Sequence, residues 1–339
     1  MNIAINGFGR IGRQALRIMQ ESHPDMNVVL INDLTDGETL AHLFEFDSTY
    51  GKYDCGGACY KDGLLSTKHG KIRTTACKDP STLPHKELDV DVVLECTGVF
   101  RDKKGCELHL KAGAKKVLMS APAKDEIDGT FVLGVNEELY DNATMHIVSN
   151  ASCTTNCLAP MAKVLHDNFG IKSGLMTTIH SYTNDQRLLD LPHKDMRRAR
   201  SAPQNIIPTT TGAAVAVGLV LPELAGKLDG MSVRVPTPTG SLTDLTVLVD
   251  KATDVEAVNA AFKKASEGAM KGILGYEERP LVLTDYVGDP RSSIIDALST
   301  KVIISEDGSC MIKALSWYDN EWGYSNRLVD FAKLMCEKL

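Results

Sequence analysis

The sequence contains no long hydrophobic run. Its most apolar stretch, Gly212 to Leu221, falls well short of the roughly 18 residues a membrane-spanning helix needs. It also lacks an excess of positive charge: 44 acidic residues against 37 basic ones leave a formal charge of −7. No global positive field is therefore available to hold nucleic acid or an anionic membrane. The opening MNIAINGFGR lacks both a basic segment and an apolar core, so secretion is not expected. There is no cysteine framework either. Nine cysteines, an odd number scattered over 339 residues, fit reduced thiols in a cytoplasm and not a disulfide scaffold. Without export, the acceptor-like tripeptides at Asn142 and Asn150 are chance matches, and the final Glu337-Lys338-Leu339 departs from a peroxisomal signal at its first residue. Internal repeats and low-complexity linkers are missing too, so any domain change must be read from a shift in pattern.

What remains is ordinary globular material, 43% hydrophobic and 24% charged, long enough for two domains. Asn2 to Asn6 reads as a short strand and leads into GFGRIG, where Gly7, Gly9 and Gly12 form G-x-G-x-x-G. A helical pattern, RQALRIMQES, follows, then an apolar run from Val28 to Ile31 that ends in Asn32-Asp33. Each glycine has a task there: a tight turn, close approach of backbone to a pyrophosphate, and close packing of helix on strand. The helix start offers free N–H groups to an anion, and Asp33 stands where a carboxylate can accept the ribose hydroxyls of NAD. Val90 to Glu95 and Lys116 to Ser120 read as further buried strands flanking a helix from Asp102 to Ala112. Cys96-Thr97-Gly98 and Ser120 close those strands at the end where open α/β sheets bind ligands. The expected fold is thus α/β: a Rossmann-type, doubly wound nucleotide domain over 1–152.

The texture changes beyond that point. Strands are expected at Gly174 to His180, Met231 to Val235 and Thr243 to Val249, and a helix from Asp254 to Lys271. Strands in blocks with few helices indicate an α+β domain with a mixed or antiparallel sheet over 153–318. Its polar features fall in a few places: His180 at a strand end, HKDMRRAR (193–200) in an irregular segment, TTTG (209–212), and Arg234 inside the apolar SVRVPT. A lone histidine, a basic cluster or a capping turn is ordinary structural material by itself. Arg234 is different, because burying its charge demands an anionic partner.

SNASCTTNC (149–157) sets Cys153 among hydroxyls and amides. Small neighbours leave room for a substrate and offer donors to an oxyanion. A helix start and an imidazolium partner would both lower the thiol's pKa. Pro160 complicates this: a helix opening at Pro160 would leave Cys153 in a loop, and His180 would then have to activate it. Cys55/Cys59 and Cys153/Cys157 have a zinc-like spacing, but no neighbouring pair with histidines completes a site, so no metal is expected.

INGFGRIGR, SNASCTTNC, the HKD–RRAR segment, IIPTTTGAA, RVPTPTGS and WYDNEWGYSNR together resemble the phosphorylating glyceraldehyde-3-phosphate dehydrogenases, in the family's order over essentially the whole chain. The resemblance implies NAD-dependent oxidation of glyceraldehyde 3-phosphate with inorganic phosphate through a hemithioacetal and a thioester. Cys153 would be the nucleophile and His180 its base. Thr183 and Arg234 would hold the substrate's phosphate; Ser152, Thr154, Thr211 and Gly212 the attacking phosphate. Arg198 would be shared between the two anions, with Arg197 beside it as the alternative. The cofactor would meet Gly7, Gly9, Arg10, Ile11, Gly12, Asp33, Lys78, Thr97, Ser120 and Asn320, with Lys78 standing where many members carry arginine. A C-terminal helix over about 319–339 would complete the nucleotide domain, and four copies would form a cytoplasmic homotetramer that requires neither membrane nor nucleic acid. Erythrose-4-phosphate dehydrogenase, and an accessory nucleic-acid- or surface-binding role on the same fold, stay open as alternatives.

Overall fold

Strand and helix alternate through the first part of the chain, and the strands come together in parallel. The computed structural model describes residues 1–339. It divides into two units, one of Met1–Phe131, Glu138–Ala151 and Ser325–Leu339, the other of Val132–Glu137 and Ser152–Tyr324. In the first, Asn2–Asn6 turns at Gly7 into the helix Arg10–Ser22 and returns as Asn27–Asn32, parallel to the opening strand. On its other side lie Val92–Glu95, Lys116–Met119, Ile147–Ser149 and the short Gly129–Thr130, all parallel. Gly70–Thr75 extends the opposite edge in parallel, and the antiparallel strands Leu64–Thr67 and Cys59–Lys61 finish the nine-stranded sheet. Strand order runs both ways from Asn2–Asn6, so the switch point of the sheet falls at the Gly7 turn. Ile3, Ile5, Leu30, Val93, Leu94 and Val117 are buried as near-continuous apolar runs, as strands covered on both faces must be. Asp102 starts the helix Lys103–Lys111 by accepting the Gly105 N–H at 2.7 Å.

The second unit is built on a mixed eight-stranded sheet. Ile171–Ser181 runs parallel to Leu228–Val235 and antiparallel to Ser241–Val249, which pairs in turn with Cys310–Tyr318. Ser241–Val249 alternates buried and half-buried residues along its whole length, the pattern of a sheet with two unlike faces. The parallel register sets His180 directly beside Arg234. Helix Cys153–Phe169 packs on this sheet. The helix expected to run to Lys271 stops at Glu267, where Gly268 ends it. The C-terminal helix starts at Trp322, not 319, because the Asp319 carboxylate accepts the Glu321 and Trp322 N–H groups at 2.9 Å each and turns 319–321 into its cap. No helix is long and apolar enough to cross a membrane.

Candidate active site

Ala151 turns the chain at φ +55, a left-handed conformation that costs a residue with a Cβ about 1–3 kcal/mol. Ser152 then caps the helix, its hydroxyl accepting the Thr155 N–H at 3.0 Å, and Cys153 becomes the first helical residue. Pro160 lies inside this helix and does not open it. Its missing N–H removes one helical bond, while Leu158, Met161, Ala162 and Leu165, all at 0% exposure, hold the segment against the core. The alternative with Cys153 in a loop is thereby set aside.

Cys153 Sγ stands 3.5 Å from His180 Nε2. His180 Nδ1 is 2.7 Å from the Ser181 carbonyl oxygen, which can only accept, and 3.1 Å from an Arg234 terminal nitrogen, which can only donate; the shorter contact places the ring proton on Nδ1, and the Nε2 lone pair faces the thiol. The His180 ring meets the edge of Tyr318, centroids 6.1 Å apart. The Tyr318 hydroxyl bridges those of Thr154 at 2.9 Å and Thr178 at 2.8 Å. Burial pushes the Cys153 thiol up, against the opposing pull of the Arg234 charge. Burial, then Arg234, pushes His180 down to about 3. The expected depressed thiol and imidazolium partner are therefore not the ligand-free state. Desolvation outweighs the helix start, and the pair rests as neutral thiol and neutral imidazole, placed for a proton to pass from Sγ to Nε2.

Arg234 donates through one terminal nitrogen to the Ser181 carbonyl at 3.1 Å and the Thr183 hydroxyl at 3.4 Å. It makes no ion pair, and its Nε is buried without a partner. Such a guanidinium is a site for an anion. Arg198 is differently placed. It donates to the Thr209 hydroxyl at 2.9 Å and the Thr210 carbonyl at 3.2 Å, and pairs closely with Asp185. Its charge reaches both His180 and Arg234. The Arg197 side chain beside it donates to the Pro208 carbonyl at 3.4 Å. Thr211 and Gly212 follow the strand that Arg198 grips and open the helix Ala213–Val220, with the Ala213 N–H on the Thr211 hydroxyl at 3.2 Å. Thr154 does not share this opening: it is buried, and its hydroxyl is committed to Tyr318. The Asn320 side-chain oxygen accepts the hydroxyls of Ser181 at 2.9 Å and Ser241 at 3.0 Å, leaving its NH₂ for a ligand. Tyr318, Ser181 and Ser241 carried no signal in the sequence, because their roles arise only from strand register.

In the first unit, a cavity of about 340 Å³ opens at the switch point, lined among others by Gly7, Gly9, Asp33, Lys78, Cys96 and Thr97. Gly7 has φ +93, and a Cβ there would lie 2.6 Å from the Thr97 nitrogen; one on Gly12 would lie 2.2 Å from the Gly7 oxygen. Gly9 faces open space. Helix Arg10–Ser22 therefore starts at Gly9 without a side-chain cap and presents its first turn, Arg10 and Ile11 included, beside a backbone surface that no side chain obstructs. Arg10's own side chain is taken up by Asp47. The Asp33 carboxylate is fixed by the Phe8 N–H at 2.7 Å and the Thr35 N–H at 2.9 Å. Ser120 donates to the Glu95 carbonyl at 3.0 Å. An uncovered pyrophosphate cradle with a fixed carboxylate beside it fits NAD.

Two family profiles match the chain: the NAD binding domain of glyceraldehyde 3-phosphate dehydrogenase over residues 1–103, and the C-terminal domain of the same enzyme over 152–320. The chain is 57% identical over 339 residues to the glyceraldehyde-3-phosphate dehydrogenase of Geobacillus stearothermophilus, covering 100% of this chain and 99% of that one. It is 54% identical over 340 residues to glyceraldehyde-3-phosphate dehydrogenase 2 of Streptomyces avermitilis, with the same coverage. To the glyceraldehyde-3-phosphate dehydrogenase of Mycobacterium tuberculosis it is 54% identical over 344 residues, again covering 100% and 99%.

Proposed function

The chain belongs to the glyceraldehyde-3-phosphate dehydrogenase family, and from that premise we propose how its residues divide the work of oxidising glyceraldehyde 3-phosphate to an acyl phosphate. Cys153 attacks the aldehyde carbon while its proton passes to His180 Nε2 and from there to the carbonyl oxygen, so the new C–S bond gives a neutral hemithioacetal and leaves His180 free as a base. NAD, when bound, supplies the hydride acceptor. His180 removes the hemithioacetal hydroxyl proton as the carbon is oxidised, which leaves a thioester on Cys153. Phosphate then attacks that carbon, the C–S bond breaks, and the thiol is regenerated.

Arg234 with Thr183 binds the phosphate already on the substrate. Arg198, Thr211 and Gly212 guide the incoming one, with Ser152 at their edge. Asp33 and the 7–12 turn hold the adenosine and pyrophosphate. The observation that carries this division is the half-buried Arg234 guanidinium, its Nε buried without a partner and no counter-ion beside it, in register with the imidazole that faces the thiol. The chain acts as a homotetramer. Leu188, Leu189, Leu191, Met196 and Ile206, all exposed on the segment after His180, support assembly through that segment. All nine cysteines are free thiols, which supports a reducing cytoplasm.

NAD reduction with phosphate and either glyceraldehyde 3-phosphate or erythrose 4-phosphate tests the assignment. A much larger kcat/KM for the three-carbon substrate is expected, and the reverse preference would contradict it.

A further inference from the structure

Under the nucleotide cavity lies a set of buried polar side chains that the reaction does not use. Glu95 ends the strand Val92–Glu95 with its side chain 1% exposed. Its Oε1 accepts both the Thr97 N–H, at 2.9 Å, and the Thr97 hydroxyl. Its Oε2 accepts the Asn6 amide at 2.5 Å and lies 3.2 Å from His109 Nε2. Asn6 in turn accepts the Asn32 amide at 2.7 Å. Asn6, Asn32 and Thr97 all line the cavity, so this carboxylate ties together three of its walls. The ring of His109 stands 3.0 Å, Nδ1 to Nε2, from that of His85; both residues are at 0% exposure, and His85 Nδ1 has no partner.

The groups facing His109 are few. Glu95 reaches it from the central sheet and His85 from the segment before that strand. The strand Asn2–Asn6 contributes the neutral Asn6, at 3.4 Å. Phe100 turns its ring edge-on to the imidazole. Cys106, on the same helix, stays a neutral thiol, held at about 12 by burial and by the Glu95 charge. No lysine or arginine pairs with Glu95, so the Asn6, Thr97 and His109 contacts alone hold its carboxylate in place.

We propose that Glu95, held by Asn6 and His109, positions the Thr97 turn for the dinucleotide. This rests on the cavity being the nucleotide site.

The test is calorimetric titration of the full-length protein at pH 7 with ADP-ribose, which fills the cavity without reacting, alongside thermal melting of each variant. Glu95→Gln sets an amide against the Asn6 and Thr97 donors, and affinity falls about tenfold, the size expected when buried donors lose their acceptor. In His109→Gln the amide still donates to Glu95 and affinity stays near that of the unmodified protein, whereas His109→Leu withdraws the donor and loses affinity. If Glu95→Gln does not fold, the two His109 variants decide. Undiminished affinity in a folded Glu95→Gln, or equal affinities in His109→Gln and His109→Leu, would overturn the proposal. Failure of the unmodified protein to bind ADP-ribose would instead remove the nucleotide site itself, and the proposal with it.

Discussion

In Arg234→Ala the hydrogen bonds to the Ser181 carbonyl at 3.1 Å and the Thr183 hydroxyl at 3.4 Å vanish together with the charge. The Ser181 carbonyl keeps the His180 Nδ1–H at 2.7 Å, so it is not stranded. The main loss is therefore the substrate's phosphate contact. Two charge-assisted bonds, taken near the lower end of their range, contribute about 3–4 kcal/mol, or roughly 10²–10³ in kcat/KM. Unphosphorylated glyceraldehyde never makes that contact and is expected to lose less than about threefold, a size at which uniform binding effects are hard to resolve. Stability moves the other way. Burial lowers the Arg234 pKa, which means the fold disfavours the bare charge, so the variant should melt at the same temperature or slightly higher. Steady-state kinetics with both aldehydes, plus thermal melting, provides the assay. Equal losses for the two substrates, or a large drop in melting temperature, would refute the reasoning and make Arg234 a structural residue.

Alkylation at neutral pH is expected to label Cys153 before Cys96, Cys106 and Cys336, whose thiols burial holds at about 12, and before Cys157, held at about 11. Because the Cys153 thiol also lies above its ordinary value, its labelling rate should climb with pH through and beyond the usual thiol range; His180→Asn should slow labelling at pH 7, and an unchanged rate would exclude proton transfer to Nε2. Asp33, fixed by two backbone N–H groups, should repel a 2′-phosphate, so NAD is favoured strongly over NADP, and comparable kcat/KM with both would contradict this. Gly7→Ala should lose about 1–3 kcal/mol from its φ alone, with further loss from the contact with Thr97, measured by chemical denaturation. Gly9→Ala meets nothing within 4 Å and should keep its stability while weakening NAD binding; equal destabilisation of the two would be contrary to the geometry.

Local signals made much of the first unit legible. Strand, three glycines, helix, strand and acid stand within one short stretch, and each leaves its own mark in composition, so Asn2–Asn6 and Arg10–Ser22 emerge close to their observed ends. The antiparallel strands Cys59–Lys61 and Leu64–Thr67 were not foreseen, since their register depends on pairing with a neighbour and not on a run of apolar residues. Pro160 left the start of the thiol helix open, because local propensity argues for a break while burial of the helix carries it through. Electrostatics was the least legible. Rules for a helix start and an imidazole partner indicate a lowered thiol pKa, but the degree of burial, which sequence does not display, reverses the direction. The pairing of His180 with Arg234, and the placement of Glu95 against His109, join residues 54 and 14 positions apart. No short window holds either pair.

Phosphate dependence tests the central claim most directly. If Cys153 carries a thioester that waits for an anion beside Arg198, Thr211 and Gly212, saturating NAD and aldehyde without phosphate should give a burst of NADH approaching one per active site. Turnover should then nearly stop, because water is a poorly placed nucleophile there. Phosphate should restore steady turnover, and Thr211→Ala should blunt that response while sparing the burst. Rapid steady turnover in phosphate-free buffer, with a carboxylic acid as product, would contradict the account.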